Sequence, residues 1–335
     1  MQKTYNTIAI TLGDPAGIGP EIALKALILR NHTLDTRLFI IGDLTVLEEA
    51  AKKLEIDIDF NCIESPAGII VGKVNVLDMK QISIEDFETG KASARCGKAS
   101  YAYILKAIEL AKSGTIDAVV TNPINKASLK DAGINFPGHT EIFASETRTK
   151  KYSMLFMLDD IAVVHVTTHV SLRRAIELIS WERVFNTIVL LDKFLKNIGV
   201  ESPRIAVGGL NPHAGEGGLF GDEEIRYIIP AVEEASSRTI NVTGPYPPDT
   251  VFMRAFKGEF DGVVAMLHDH GFVALKSRNF DEGVNITIGL PIIRTSVGHG
   301  TAFDIAGKGI ASEKSLLSAI RIAGLLAGKK QKLLT

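Results

Sequence analysis

The chain has 335 residues, of which 46% are hydrophobic, so it is long enough to bury the core of two domains or one large α/β unit. Lysine and arginine total 37 against 39 aspartate and glutamate, a balance that argues against nucleic acid or an anionic membrane as partner. No apolar run approaches the roughly 20 residues that span a bilayer, and the first residues lead directly into a predicted strand rather than a secretory signal. The two cysteines, Cys62 and Cys96, form no CxxC motif, so we expect a soluble cytoplasmic protein.

Strand-like and helix-like segments alternate from the start of the chain. The first such segments, in order, are TIAITLG (7–13), PEIALKALILR (20–30), RLFIIG (37–42), LTVLEEAAKKL (44–54), ASYAYILKAIELAKSG (99–114) and IDAVVTN (116–122). This alternation predicts a parallel sheet with helices on its faces. No Gly- or Pro-rich segment is long enough to be a flexible linker, so a domain boundary is predicted to be a change of sheet.

The first predicted strand leads into GDPAGIGPEI, residues 13–22, a glycine-rich turn that opens a helix. Free backbone N–H groups at such a position can bind an anion. The glycines are in the wrong order for the dinucleotide motif GxGxxG. A tight structural turn and a ligand-binding loop are both compatible with this segment.

Three apolar runs further along the chain each end in a histidine: IAVVHVTTH at 161–169, RIAVGGLNPH at 204–213 and DGVVAMLH at 261–268. Each run is typical of a buried strand of a parallel sheet, and ligands bind at the carboxyl ends of such strands. The three imidazoles could therefore meet around one divalent metal, with a fourth position open as catalysis requires. His165 shares a strand face with His169, and His270 follows His268 closely, so the pattern leaves the choice among these histidines open.

Two cations and an amide suggest a phosphate site. Lys276 and Arg294 have the donor Asn285 between them in sequence, and a phosphate monoester requires several charge-assisted donors. Both cations could instead be solvated surface charges, although the apolar segment ITIGLPIIRTS argues against this for Arg294. Thr140 and Asp249 each precede a helix-like segment, so either could simply be an N-cap.

The segment VGHGTAFDIAGKGIAS, residues 297–312, contains glycines that let the backbone approach a flat ligand. It resembles the HGSAPDIAGKG loop with which isopropylmalate and isocitrate dehydrogenases hold their nicotinamide cofactor. The resemblance implies that His299, Gly300, Asp304 and Ile305 contact the cofactor. We expect NAD to be favoured over NADP, because Lys308 is the only cation in this loop and a 2′-phosphate needs Arg or Lys beside the ribose.

Eight ordered motifs resemble the 4-hydroxythreonine-4-phosphate dehydrogenase family. They are GDPAGIGPEI, TNPINK (121–126), FPGHTE (136–141), TTH (167–169), LNPHAGE (210–216), GPYPPDT (244–250), HDHG (268–271) and GVNITIGLPIIRTS (283–296). The resemblance implies that one divalent metal (Zn, Mg, Mn or Co) is bound by His169, His213 and His268. It implies that the substrate is bound by His139, Thr140, Lys276, Asn285 and Arg294, with Lys276 also a candidate for catalytic proton transfer.

The same resemblance implies an α/β fold like that of isopropylmalate dehydrogenase, with two α/β/α domains and an active-site cleft between them. We expect a discontinuous domain, residues 1–128 and 290–335, to carry the NAD loop. Residues 129–289 are expected to carry the metal histidines and the dimer interface. In the family a histidine from the second subunit completes the metal site, so a homodimer with shared active sites is implied.

The implied reaction is NAD-dependent oxidation of the secondary hydroxyl of 4-hydroxythreonine 4-phosphate, followed by decarboxylation to 3-amino-2-oxopropyl phosphate in vitamin B6 biosynthesis. His270 stands where the biosynthetic members usually have Gln, and Gly298 stands where they usually have Asp. Loss of a carboxylate would suit a hydroxy acid without an amine, such as D-threonate or D-erythronate 4-phosphate. A non-catalytic metal- and sugar-phosphate-binding protein is the alternative of a different class, and it would have no use for a nicotinamide loop.

Overall fold

The computed structural model describes residues 5–29, 36–278 and 282–332. The described residues fall into two compact units. Unit 1 lies within Met1–Thr149 and Leu290–Thr335, and unit 2 lies within Lys150–Gly289. The alternation of strands and helices predicted from the sequence continues through both units, and the α/β class is confirmed.

The strands of the described ranges are β1 (Asn6–Thr11), β2 (Thr36–Gly42), β3 (Phe60–Cys62), β4 (Val74–Asp78), β5 (Ala118–Thr121), β6 (Ser153–Leu158), β7 (Ile161–His165), β8 (Ile205–Gly208), β9 (Val242–Tyr246), β10 (Gly262–Ala265), β11 (Val284–Ile288) and β12 (Ile293–Val297). The α-helices are α1 (Gly19–Leu29), α2 (Leu44–Lys53), α3 (Ala94–Lys112), α4 (Lys126–Asp131), α5 (His139–Glu146), α6 (Leu172–Leu178), α7 (Trp181–Ile198), α8 (Ile229–Ser237), α9 (Val251–Phe256), α10 (His268–Arg278) and α11 (Lys314–Lys332).

In unit 1 the strands lie in the order β3-β4-β2-β1-β5-β12, and every neighbouring pair is parallel. Ile8 and Ile10 of β1 and Ile40 of β2 are fully buried. A parallel sheet is covered on both faces, which explains why these strands are almost continuously apolar. β12 pairs with β5 so that Arg294 lies opposite Val119.

In unit 2 the strands lie in the order β11-β6-β7-β10-β8-β9. β6 is antiparallel to both of its neighbours, whereas β7, β10, β8 and β9 are parallel to one another. Phe156, Val163, Val263 and Phe272 belong to the hydrophobic core on one side of these strands. Because parallel strands all point the same way, β7, β10 and β8 end at the same edge of the sheet.

The boundary between the units differs from the predicted one. The motif pattern places the start of the second domain at residue 129, but the structure groups residues 129–149 with unit 1. The reason is packing against α3: Tyr101 stacks on Phe136 with ring centroids 6.4 Å apart, and its hydroxyl donates to Glu146 Oε1 at 3.1 Å. These contacts join residues far apart in sequence, so local patterns do not reveal them.

No helix within the described ranges combines the length and the apolar character needed to cross a membrane. Both cysteines are free thiols, with Cys62 exposed and Cys96 buried.

The packing of α3 on α4 generates a stability prediction. A Cβ atom on Gly97 would lie 2.0 Å from the backbone oxygen of Ser128. A glycine-to-alanine change inside a helix usually stabilises it by up to about 1 kcal/mol. We expect Gly97→Ala instead to lower the free energy of unfolding by about 1–3 kcal/mol, because the backbone of α4 must move away.

Gly324→Ala in α11 is the matched control, since its Cβ would lie 3.7 Å from Thr36 Oγ1, an ordinary contact. Urea denaturation followed by circular dichroism measures both variants. Equal stabilities would contradict the close packing of α3 on α4.

Candidate active site

The three histidines predicted as metal ligands follow three neighbouring parallel strands. β10 lies between β7 and β8 in unit 2. His169 comes four residues after the end of β7, His213 lies in the loop after β8, and His268 opens α10 just after β10. The fold therefore delivers all three side chains to the carboxyl edge of one group of strands, where ligands usually bind.

His169 and His268 lie together. Their ring centroids are 5.9 Å apart. The two segments that carry them are joined by a hydrogen bond from Thr167 Oγ1 to the Met266 carbonyl at 2.8 Å. Both histidines line a cavity of about 210 Å³, together with Val170, Leu172 and neighbouring backbone. Two imidazoles at this separation, beside open space, have the chemistry and spacing of a divalent-metal site.

The orientation of His268 supports a ligand role. Its Nδ1 lies 2.7 Å from Asp269 Oδ1. A carboxylate at Nδ1 holds the proton there and leaves the lone pair of Nε2 available for a metal. Asp269 therefore helps to orient His268 in the candidate site. It lies in the motif HDH, but the sequence pattern assigns it no role.

His213 lies in an unusual left-handed segment. Residues 213–217 all have positive φ, beginning with 54° at His213. The buried carboxylate of Glu224 anchors the start of this loop by accepting hydrogen bonds from the backbone N–H of Leu210 at 2.7 Å and of Asn211 at 2.8 Å. His169 also has a positive φ, 52°. Non-glycine residues in this conformation are uncommon and occur often at functional sites.

The described residues of a single chain do not bring the three predicted metal ligands into one group. Within residues 5–29, 36–278 and 282–332, no cluster of three or more His, Cys, Asp or Glu side chains is arranged to hold a metal ion. The imidazole of His213 lies beside Phe220, with ring centroids 6.1 Å apart. The structure thus joins His169 with His268 and leaves His213 on its own exposed loop.

His165, the alternative to His169, is a core residue at the end of β7 and only 2% exposed. Its Nδ1 lies 3.4 Å from the Met154 carbonyl, and its ring stacks on Phe272 with centroids 4.9 Å apart. Burial lowers the pKa of His165 to about 3. A Cβ atom on Gly271 would lie 2.3 Å from Nε2, so this nitrogen faces packed backbone rather than open space. His169, in contrast, is exposed.

Three of the residues predicted to bind substrate lie together in unit 1. Arg294 is 2% exposed, and its Nη2 donates to Thr121 Oγ1 at 2.8 Å. Its guanidinium carbon lies 5.6 Å from the centroid of the Phe143 ring. Burial lowers the pKa of Arg294 to about 9, so it is charged at neutral pH. The interpretation of Arg294 as a solvated surface charge does not agree with this burial.

His139 lies close enough to Arg294 for the two to interact electrostatically. Burial, followed by the positive charge of Arg294, holds the pKa of His139 well below its ordinary value, so the ring is neutral. Its Nε2 has no hydrogen-bond partner among the described residues. Thr140 is buried in the first turn of α5, whose N-cap is Gly138, so the N-cap interpretation of Thr140 is wrong. A buried cation, a hydroxyl and a neutral imidazole suit an anionic ligand.

The other two predicted substrate residues lie in unit 2. Lys276 is on the exposed side of α10, with Nζ 5.2 Å from the centroid of Phe272. Asn285 is half-buried on β11, opposite Phe156. Phe156 and Phe272 pack edge to face at 5.0 Å, so Lys276 and Asn285 lie beside the two members of one aromatic pair.

Asp249 is exposed and precedes Thr250, which is the N-cap of α9, so Asp249 is not the N-cap.

The predicted cofactor loop, residues 298–312, lies in unit 1. The N–H of Gly298 donates to Ser315 Oγ at 2.9 Å, and His299 Nδ1 lies 3.0 Å from the Gly300 carbonyl. Asp304 is exposed and Ile305 half-buried. A Cβ atom on Gly300 would meet nothing within 4 Å, so this part of the loop faces open space that a flat ligand could fill.

The turn at residues 13–22 supports that loop. Asp14 is fully buried, and its Oδ1 accepts the N–H of Ala16 at 3.0 Å. The N–H of Ile18 donates to the Thr301 carbonyl at 3.0 Å, and a Cβ on Gly17 would lie 3.0 Å from Thr301. Of the two interpretations left open by the sequence, the contacts support a structural turn that packs on the cofactor loop.

Comparison with known proteins agrees with this picture. Residues 34–323 match the family of the pyridoxal phosphate biosynthetic protein PdxA. The chain belongs to the PdxA family. A D-threonate 4-phosphate dehydrogenase from Salmonella typhimurium is 46% identical over 324 residues, which cover 96% of this chain and 99% of the relative.

Solved structures give the same assignment. A 4-hydroxythreonine-4-phosphate dehydrogenase from Klebsiella pneumoniae superposes with a TM-score of 0.85 and 42% identity, covering 96% of this chain and 99% of that one. A β-decarboxylating dehydrogenase from Thermococcus kodakarensis has a TM-score of 0.51 at 15% identity, covering 94% and 82%. This second likeness concerns the fold alone. The predicted dehydrogenase family and the isopropylmalate dehydrogenase-like fold are both confirmed.

Some residues of this PdxA-family chain were not assigned from its sequence. Thr121 binds Arg294, Asp269 orients His268, and Glu224 anchors the loop of His213. Thr121 and Asp269 lie inside the quoted motifs TNPINK and HDHG, and an acidic residue beside a histidine was an available signal for Asp269. Glu224 follows its loop at a distance in sequence and has no such signal.

The buried histidines generate a pH prediction. Burial keeps His165 and His139 neutral in the folded protein, whereas the unfolded chain protonates them as the pH falls through about 6.5. Stability is therefore complete above this pH and is lost as the pH falls toward the folded-state values. For His165 the loss between pH 6.5 and pH 5 should be about 1.5 kcal/mol.

Urea denaturation at these two pH values, with chelator present, measures the effect. His165→Asn removes the titrating group and should reduce the pH dependence by about one proton. His213→Asn, at an exposed position, is the control and should leave the dependence unchanged. If the pH dependence of stability in His165→Asn equalled that of the wild type, buried neutral His165 would not be its source.

Proposed function

We propose that this chain is a divalent-metal-dependent, NAD-linked dehydrogenase that oxidises the secondary hydroxyl of a small hydroxy acid with a terminal phosphate. Loss of carbon dioxide from the resulting β-keto acid completes the proposed reaction. The observation that carries the proposal is the His169–His268 pair at the carboxyl edge of β7 and β10, with Asp269 orienting His268, in a chain of a dehydrogenase family.

His169, His213 and His268 would hold the metal, and the loop at residues 298–312 would hold the cofactor. When bound, a divalent metal supplies a Lewis acid for the reacting oxygen, and NAD supplies a hydride acceptor. We assign NAD rather than NADP because Lys308 is the single cation in the loop sequence. The exposed side chain of Lys276 is our candidate for moving the hydroxyl proton.

The phosphate is assigned to Arg294 with Thr121, His139 and Thr140, and Asn285 is assigned as a further substrate contact. A phosphate dianion would form charge-assisted hydrogen bonds with the buried guanidinium, which already interacts electrostatically with the Glu141 carboxylate. The neutral ring of His139 offers Nε2 as a hydrogen-bonding group without adding a second positive charge. This arrangement suits charge-assisted binding with a fixed orientation, for which arginine is better than lysine.

We infer that the substrate lacks an amino group, as in D-threonate 4-phosphate. The name of the Salmonella typhimurium relative supports this choice, and so do His270 and Gly298, which replace the Gln and Asp usual in biosynthetic members. 4-Hydroxythreonine 4-phosphate is the second candidate, because it is the substrate in the name of the Klebsiella pneumoniae protein.

A second subunit is proposed to complete the metal site. Near His169 the side chains of Val170, Leu172 and Ile176 are 44%, 64% and 45% exposed. Near His213 those of Leu219 and Phe220 are 72% and 47% exposed. Exposed apolar side chains around His169 and around His213 are stabilised when another protein surface covers them. A second copy of the chain would cover them and would also supply the missing histidine.

The phosphate assignment predicts a large difference between substrates. NAD reduction with D-threonate 4-phosphate should exceed that with D-threonate by roughly 30- to 1000-fold in kcat/KM, since charge-assisted bonds to the phosphate are lost. Arg294→Lys should lose much of this discrimination, because a point charge does not replace a bidentate donor.

4-Hydroxythreonine 4-phosphate is assayed in parallel and should be the poorer phosphorylated substrate. Equal use of D-threonate and its phosphate by the wild type would remove the phosphate site. Absence of NAD reduction with all three compounds, together with unchanged NADH fluorescence, would favour a binding protein.

The shared metal site predicts complementation between inactive variants. His169→Ala, His213→Ala and His268→Ala should each lose bound metal, measured by elemental analysis, and turnover. After subunit exchange, at least one pairwise mixture should recover about a quarter of wild-type activity, because half of the dimers would contain one intact site.

Thr250→Ala is a control that should keep both metal and activity, because Thr250 is exposed outside the assigned site. If all three histidines came from one chain, no mixture would recover activity, and the shared site would be refuted.

A further inference from the structure

An ion pair on α1, formed by Glu21 and Lys25, binds the backbone of the cofactor loop. Glu21 accepts hydrogen bonds from backbone N–H groups, and Lys25 donates hydrogen bonds to backbone carbonyls. Glu21 Oε1 accepts the N–H of Ala311 at 2.8 Å, and Oε2 accepts that of Gly309 at 3.2 Å. Lys25 Nζ donates to the carbonyls of Gly309 and Ala311, each at 2.8 Å. Its third hydrogen bond, also 2.8 Å, goes to Glu21 Oε1. All three donors of the ammonium group are used.

The pair is shielded from water. The side chain of Glu21 is 4% exposed and that of Lys25 is 19% exposed. An ion pair on an open helix surface contributes little, but one that is buried and fully hydrogen-bonded is costly to break, because an unpaired charge remains. The ion pair therefore holds the loop rather than merely stabilising α1.

The side chains at positions 309 and 310 do little to fix this segment. Gly309 has a left-handed φ of 73°, and the side chain of Ile310 points outward with 67% exposure. With no large buried side chain at positions 309 and 310, the hydrogen bonds from Glu21 and Lys25, together with the burial of Ala311, determine the path of the backbone. Residues that precede them, from Gly300 to Ile305, are those assigned to the cofactor.

We propose that Glu21 and Lys25 are positioning residues for the nicotinamide cofactor: they hold Gly309–Ala311 and thereby fix the loop in its cofactor-binding conformation. This inference rests on the proposed function, since it takes the loop at residues 298–312 as the NAD site. It gives the glycine-rich turn at residues 13–22 a specific purpose, because that turn begins the helix that carries the ion pair.

Lys25→Met tests the proposal, because it keeps an unbranched side chain of similar length and removes the three donors. The KM for NAD should rise about tenfold or more, as expected for the loss of charge-assisted hydrogen bonds. The KM for the hydroxy acid, kcat at saturating NAD and the metal content should change less than about twofold. Hydrogen–deuterium exchange of residues 305–311 should become faster in the protein without added cofactor.

Lys25→Arg, which keeps the charge and several donors, should restore most of the NAD affinity. Lys196→Met is the matched control: Lys196 forms an i,i+4 ion pair with Asp192 at the same 2.8 Å, but on α7 in unit 2. It should leave the KM for NAD and the exchange of residues 305–311 unchanged. If Lys25→Met fails to fold, Lys25→Leu, which also removes all three donors, is used with the same expectations.

The outcomes separate this inference from the function on which it rests. A wild type that neither reduces NAD nor alters NADH fluorescence overturns the proposed function and the positioning role together. A wild type that uses NAD, with an unchanged KM for NAD or unchanged exchange in Lys25→Met, overturns the positioning role alone. An equal rise in the KM for NAD and in the KM for the hydroxy acid also overturns it, because that is the result of general destabilisation.

Discussion

The adjacency of β7, β10 and β8 is the constraint on which the candidate site depends. Since these strands are parallel neighbours, the segments that leave their carboxyl ends start side by side. His169 and His268 are brought together in this way although almost 100 residues separate them in sequence. The apolar residues of the strands thus have two effects: they form the core of unit 2, and they determine where its polar loops begin.

The loops beyond these strands adopt conformations that a free chain would avoid. His169 and His213 both lie in the left-handed region, which is unfavourable for residues with a Cβ atom. Around His213 the buried carboxylate of Glu224 compensates by binding two backbone N–H groups. Around His213 the unfavourable backbone conformation is therefore offset by hydrogen bonds from a residue that has no direct part in the proposed chemistry.

Buried charge has a comparable role in unit 1. Arg294 and the Glu21–Lys25 pair are nearly removed from water, an arrangement that is unfavourable without good hydrogen bonds. The ion pair binds the backbone of Gly309 and Ala311, so it shapes the loop that we propose to hold the cofactor. Arg294 donates to Thr121 beside a neutral His139, and the Glu141 carboxylate lies close enough to interact with its charge. The Glu21–Lys25 pair thus binds backbone groups, whereas Arg294 is a candidate for binding a ligand.

The sequence by itself determined the α/β class, the cofactor-loop motif and the family, because alternating apolar segments and ordered motifs are local properties. It did not determine which of His165 and His169 is buried, since both occupy the same face of one predicted strand. Nor did it reveal that residues 129–149 belong with unit 1, that Thr121 binds Arg294, or that Glu21 and Lys25 hold Gly309 and Ala311. Each of these depends on strand order and on contacts between segments far apart in the chain, and only the tertiary structure decides which distant residues become neighbours.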